Sequence, residues 1–506
     1  MKYAFPPTLI CCSIAAVCFA QDAPYVRSVH QVELEAHRDT PTSPWLIADR
    51  DTKLLPLQPR AGGTRPCATV FGYLPYWSSS AHLRYDLLTH LACFSVEVNS
   101  NGTLGSDHGW PWTAVINDAH AHGVKVILVA TLFNDDAIYT LITNPTYKSN
   151  FFTNIKAKML EGDADGLNID FEGGGSSWKP YINGFMADLT AYLHAELPGS
   201  EVTFAGPAVN WGGWDLEGLA ESCDGIFIMG YAFWGSWSST SGPNAPLTGG
   251  TYNITNTVLT QYGAVTQNHP EKLILGLPYY GHHWKTSSSS PRASVTSFLG
   301  STRFFDDEPD SQFYGLLWDT QSQTPWYRWH DGSSWHQVWF DNAESLGLKY
   351  DLAMEHGLQG VGMWALAYDG ARPELWDLLE EDFGGCLFCC DFDGDGDTDM
   401  QDWSVFGFCM QGPRTTYGAG HFCLVGDADD DTDVDLHDYA VYQRWLRRLG
   451  FRLSCAIAAE GQLRRARSRR CRRCASIATA RSPRRKFTSS ESVWSPQRIL
   501  PSGRGT

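Results

Sequence analysis

The sequence predicts an α/β fold, a (β/α)8 TIM barrel, and three features of it carry that reading. Short apolar runs rich in β-branched and aromatic residues alternate with helical stretches from Cys67 onward. The alternation repeats eight times, as a parallel sheet with crossover helices requires. An acidic pattern, DGLNIDFE (Asp165–Glu172), ends the fourth run. The C-terminal ends of strands are where such barrels place their chemistry.

The chain has 506 residues, a formal net charge of −18 and 43% hydrophobic residues. That composition suits a folded multidomain protein, and its acidity argues against a nucleic-acid partner. Residues 1–20 read as an export signal: Lys2 supplies the positive end, Leu9 to Phe19 the apolar stretch, and Ala20 a small residue before Gln21. The stretch is too short for a membrane span, so the expected location is secreted, periplasmic or cell-surface, and not integral to a membrane. Residues 21–66, polar and ending in QPRAGGTRP, read as an extension or linker. Of the cysteines outside the signal, Cys67, Cys93 and Cys223 are scattered and Cys386, Cys389, Cys390, Cys409 and Cys423 cluster late. An oxidising compartment allows disulfides, whose connectivity the sequence does not give.

Residues 67–385 form the barrel. Its strands are read, in order, from VFGYLPYW, THLACFSVEV, VKVILVATLF, DGLNIDFE, VTFAGPAV, GIFIMGYAF, KLILGLPYYG and LQGVGMWAL. Helices are read at AVINDAHAHG, IKAKMLEGDA, NGFMADLTAYLHAEL and AESLGLKYDLAMEHG. About 70 residues separate the seventh and eighth strands, too many for a plain barrel connection. Alternating aromatics around DGSS predict a hairpin there, in a small α+β insertion able to wall the barrel mouth.

Side chains alternate faces along a strand, so Gly166, Asn168, Asp170 and Glu172 share one face of the fourth strand and Leu167, Ile169 and Phe171 the other. Inward acids replace what would be cheaper as apolar core, because a buried unpaired charge costs several kcal/mol. A site is the physical reason to keep them. The three glycines after Glu172 suit a tight turn.

With these residues in place, the chain resembles glycoside hydrolase family 18, the chitinase-like hydrolases. DGLNIDFE is similar to the family's DxxDxDxE signature, and FGYLPYW, IMGYAF, LILGLPYYG, GVGMWAL and VWFDNAESLGLK are similar to its other strand segments, over roughly residues 68–383. The resemblance implies a substrate-assisted, retaining hydrolysis of β-linked N-acetylglucosamine polymers or oligosaccharides. It casts Glu172 as the general acid, Asp170 as the residue that orients the substrate's 2-acetamido group, and Tyr231 as that group's hydrogen-bond partner. It places Asn168, Trp364, Met229 and Tyr73 on the substrate side, with Trp364 as the floor under the cleaved sugar. Asn168 departs from the family's usual aspartate, Ala232 from its usual aspartate after the tyrosine, and VATLF from its small-residue third strand. The style is that of chitobiase-like and peptidoglycan-directed relatives. Chitin is the first expected substrate, with peptidoglycan and N-glycan cores as alternatives. A non-catalytic sugar-binding barrel is a rival of another class, and a calcium-dependent surface-interaction protein a third.

Residues 386–450 hold a second module. DFDGDGDTDMQD and DADDDTDVDLHD repeat one spacing, with Asp391, Asp393, Asp395, Asp399 and Asp402, then Asp427, Asp429, Asp431, Asp435 and Asp438. Oxygen ligands at these loop positions suit Ca²⁺. The repeats resemble dockerin type I, a small all-α EF-hand-like module, which implies a structural calcium site and a cohesin-like or cell-surface partner. No cofactor is expected for catalysis. Residues 451–506, Arg- and Ser-rich, read as a disordered tail.

Overall fold

The structure is a computed structural model. It describes residues 27–47, 52–58, 64–66, 68–384, 386–387 and 400–410, with 417, 423 and 434–435. The segments read from the sequence as an export signal, a disordered tail and most of two calcium loops lie outside the described residues. Two units are recognised, Met1–Leu387 and Phe388–Thr506.

The first unit is built on eight parallel strands: Thr69–Pro75, His90–Glu97, Lys125–Leu132, Gly166–Phe171, Glu201–Pro207, Gly225–Met229, Leu273–Pro278 and Gly360–Trp364. They close in chain order, the eighth pairing with both the seventh and the first. Their runs of Val, Ile, Leu and Phe are buried on both faces, as a sheet between packed side chains and a helical ring demands. Phe171, on the outward face of the fourth strand, meets Phe151 of helix Pro145–Glu161 and Phe185 of helix Lys179–Glu196 at ring distances of 6.0 Å each. The outward apolar and inward polar alternation read from the sequence is the one that forms.

The helices begin where the sequence supplies caps. Asn134 accepts from the Ala137 amide at the start of Asp135–Thr143. Asn144 caps Pro145–Glu161, with Pro145 in the first turn, where its missing N–H costs nothing. Between the seventh and eighth strands lies a five-stranded antiparallel sheet of His282–Thr286, Val295–Ser301, Leu317–Asp319, Thr324–His330 and Trp335–Trp339, with helix Phe304–Tyr314. The DGSS turn joins Thr324–His330 to Trp335–Trp339, and Trp326 stacks on Trp339 at 5.0 Å across that pair. No helix among the described residues is long and apolar enough to cross a membrane.

Two local readings change. Part of the 21–66 segment is not a free linker: Val29–Ala36 is a helix capped by Ser28, and Leu46 is fully buried against the barrel. The glycines after Glu172 serve close approach, with Gly173 and Gly175 outside the left-handed region. A Cβ on Gly173 would collide with Asp135 Oδ1, and Asp135 accepts from the Gly175 amide at 3.0 Å and from Trp178 Nε1 at 2.7 Å.

Described by itself, the second unit contains helix Met400–Cys409 and a Cys409–Cys423 disulfide. Cys93 and Cys223 are buried free thiols of the barrel.

Candidate active site

The fourth strand delivers its inward row to the mouth of the barrel. Asn168 sits deepest and is fully buried. Its amide nitrogen donates to Thr203 Oγ1 at 2.9 Å and its oxygen accepts from the Tyr73 hydroxyl at 2.7 Å. A neutral amide satisfies both neighbours without placing a charge at this depth.

Asp170, one pleat nearer the mouth, is also fully buried. Its Oδ2 accepts from His30 Nδ1 at 2.9 Å, and its Oδ1 has no hydroxyl or amide partner. Its other interaction is with the Glu172 carboxyl. Glu172 follows the strand, its amide bonded to the Leu132 carbonyl at 3.1 Å, and Ser28 Oγ donates to its Oε1 at 2.7 Å. Burial pushes the Asp170 carboxyl from 3.8 up to about 8. Burial and then the Asp170 charge push Glu172 from 4.5 up to about 8, against His30 and Ser28, which lower it. An acid held protonated at neutral pH is what proton donation to a leaving group requires.

The sixth and eighth strands supply the rest. Tyr231 follows Met229, the last residue of the sixth strand, and burial raises its phenol well above 10. Trp364 ends the eighth strand, fully buried, with its Nε1 lacking a hydrogen-bond partner. The chain adopts positive φ at Ala232, whose amide donates to Asn244 Oδ1 at 2.7 Å. The position that departs from the family pattern is therefore held by an asparagine from the following loop.

One ring shows how close these residues are. His30 lies 3.8 Å from Trp364, 5.4 Å from Tyr73 and 5.9 Å from Tyr231, measured between ring centroids. Its Nε2 is 2.8 Å from the Tyr231 hydroxyl. The structure thus brings Asp170, Glu172, Tyr231, Trp364 and Tyr73 around one volume. Asn168 stands behind Tyr73, and Met229 is packed into the core beside the cluster.

Sequence reasoning missed Ser28, His30, Glu33 and His37. A signal existed: Ser28 and Gln31 form the Ser-x-x-Gln spacing that starts a helix, and Ser28 Oγ accepts from the Gln31 amide at 3.1 Å. Of the predicted calcium ligands, Asp402 falls on helix Met400–Cys409 and Asp435 is described and buried. Asp391, Asp393, Asp395, Asp399, Asp427, Asp429, Asp431 and Asp438 lie outside the described residues.

Comparison with known proteins decides the family. Residues 69–369 match the family model described as glycosyl hydrolases family 18. The chain belongs to that family. It is a chitinase-like glycoside hydrolase, and its relatives include enzymes of different kinds. Human di-N-acetylchitobiase is 28% identical over 299 residues, 52% of this chain and 74% of the human protein. The cortical fragment-lytic enzyme of Bacillus subtilis (strain 168) is 24% identical over 315 residues, 58% of this chain and 68% of that one. Among solved structures, the family 18 chitinase of Cycas revoluta in complex with (GlcNAc)3 aligns with a TM-score of 0.55 at 20% identity, over 62% of this chain and 99% of that one. At that identity the likeness shows the fold alone.

Proposed function

We propose that the chain is a secreted hydrolase of β-1,4-linked N-acetylglucosamine chains, acting by substrate-assisted, retaining catalysis. The observation that supports this most is that Asp170, Glu172, Tyr231 and Trp364 all border one ring, that of His30, which lies 2.9 Å from Asp170 Oδ2, 3.6 Å from Glu172 Oε1, 2.8 Å from the Tyr231 hydroxyl and 3.8 Å from the Trp364 ring. Glu172 holds the proton that goes to the glycosidic oxygen. Asp170 and the Tyr231 hydroxyl grip the two ends of the substrate's acetamido group. Its carbonyl oxygen attacks the anomeric carbon, and the leaving sugar departs with the Glu172 proton. Water then opens the ring so formed, returning a proton to Glu172 and leaving the product's configuration retained. Trp364 presents an apolar face on which the sugar stacks.

The test is hydrolysis of fluorogenic N-acetylglucosamine di- and trisaccharides by the full chain and its Glu172→Gln variant. Turnover should fall by about 10² to 10⁴-fold in the variant, with the β-anomer released first in a proton NMR time course. An α-anomer, or equal and measurable rates, would discard the mechanism. The peptidoglycan alternative rests on the cortical fragment-lytic relative and is distinguished by the same assay on muropeptides.

We extend the proposal to Ca²⁺ at the two aspartate loops. The described helix Met400–Cys409 begins at the last three positions of the first predicted loop and carries its final aspartate, Asp402, in its first turn. Bound calcium neutralises the clustered carboxylates. Chelator should therefore lower the melting temperature of the second unit, and no shift would speak against the site.

A further inference from the structure

The volume that should receive substrate is filled by the chain itself. Helix Val29–Ala36 is an eight-residue segment whose buried residues are Val29, His30, Glu33 and Leu34. Half of that face is polar, and its polar groups meet site residues. His30 is fully buried, and burial lowers its imidazole from 6.5 to about 4, so the ring is neutral. A neutral ring that donates from Nδ1 to Asp170 Oδ2 and accepts at Nε2 from the Tyr231 hydroxyl satisfies both bonds. It stacks over Trp364 with planes 30° apart. Ser28 at the helix start occupies Glu172. Glu33 pairs with Arg303 at 3.0 Å and accepts from the Tyr368 hydroxyl. One turn beyond, His37 stacks on Trp77 at 4.3 Å with planes 9° apart.

We infer that this segment is an intramolecular inhibitor: residues Ser28–His37 occupy the catalytic site in place of an N-acetylated sugar, and the enzyme works only when they leave. The inference rests on the functional reading above and adds its regulation. The imidazole of His30 uses the same donor, acceptor and stacking face that the proposed mechanism assigns to the acetamido-bearing sugar. His37 covers a second indole in the way a neighbouring sugar ring would. His30 blocks by occupying polar partners of the site and His37 by covering an indole face. The segment is anchored on its C-terminal side, where the Ser43 amide donates to the Tyr76 carbonyl at 2.8 Å and the Ala114 amide to the Leu46 carbonyl at 3.2 Å. Between helix and anchor, Arg38, Asp39 and Thr40 form an exposed turn in which the Thr40 amide donates to the His37 carbonyl at 2.8 Å. An isolated helix of this length is marginal in water, so its order depends on the contacts it makes in the site.

Two forms of the full chain test this. One carries His30→Ala, Glu33→Ala and His37→Ala. The other carries a protease recognition sequence inserted at Arg38–Thr40, cut only after folding, which guards against a variant that misfolds. Carbodiimide labelling with glycinamide, read by mass spectrometry on the peptide holding Asp170 and Glu172, reports access to the site without any sugar. Labelling should be at least tenfold faster in both forms than in the intact wild type. Hydrolysis of the fluorogenic trisaccharide should rise by a similar factor, through a lower KM. Equal labelling in all forms would overturn the inference, as would faster labelling with no gain over a measurable wild-type rate. Faster labelling with no hydrolysis of any N-acetylglucosamine substrate by any form would leave the occlusion standing and discard the functional reading instead.

Discussion

The fourth barrel strand and the N-terminal helix both bring polar side chains to one point, and they are held there in opposite ways. Asp170 stands on backbone ladders to the third strand, and the same strand is bonded on its other side to the fifth. Moving it means breaking the barrel. His30 stands on a short helix whose backbone bonds are internal, and its attachment to the site is through side chains. Moving it means exchanging a few hydrogen bonds and four ring contacts for water or sugar. On the inference above, the frame is permanent and the segment exchangeable, although both are buried and both are polar.

The sharpest way to break that contrast is to disturb each region and read global stability. In the frame, Lys349 Nζ lies 2.5 Å from Asp341 Oδ1 with both side chains fully buried. Lys349→Met strands the Asp341 carboxylate and should cost about 3–5 kcal/mol in chemical denaturation. Glu33→Ala in the helix should cost about 1 kcal/mol or less, because its partners regain water when the segment leaves. Equal losses would mean that the segment is part of the frame.

Asp170→Asn should lower kcat by on the order of 10²-fold, since it removes the charge that faces the acetamido group in the transition state. The sign of its pH effect also follows. The Asp170 charge raises Glu172, so its removal lowers the Glu172 pKa, and the alkaline limb of the kcat profile should move to lower pH. The smallest expected effect is that of Asn168→Asp. A second buried carboxylate on the same face makes ionisation of Glu172 harder, and the alkaline limb should move up by about one pH unit or less. A profile identical to wild type would show that Asn168 acts only through its hydrogen bonds to Tyr73 and Thr203.

What was legible in the sequence divides along the same line. The barrel strands announce themselves because they are buried on both faces and read as apolar runs. Asp170 and Glu172 announce themselves because they interrupt such a run at every second position. Helix Val29–Ala36 does not, because its buried face pairs with a polar site and carries His30 and Glu33 where an apolar stripe would be sought. The use of Gly173 was hidden for a related reason. Its need for bareness comes from Asp135, 38 positions earlier in the chain. A resemblance covering residues 69–369 likewise carries no information about a segment that lies before it.

The tether between the helix and its anchor has a kinetic consequence. A ligand attached to its own receptor by a short tether competes at an effective concentration in the millimolar range. The apparent KM is then the intrinsic KM multiplied by one plus the ratio of closed to open molecules, so a 99:1 ratio raises it by about 100-fold. Dilute oligosaccharides lose that contest. A solid polymer, which surrounds an enzyme at its surface with a high density of chains, wins it. The helix would thus make the enzyme a gauge of substrate density, idle among soluble fragments and active against the intact wall or fibre from which they come.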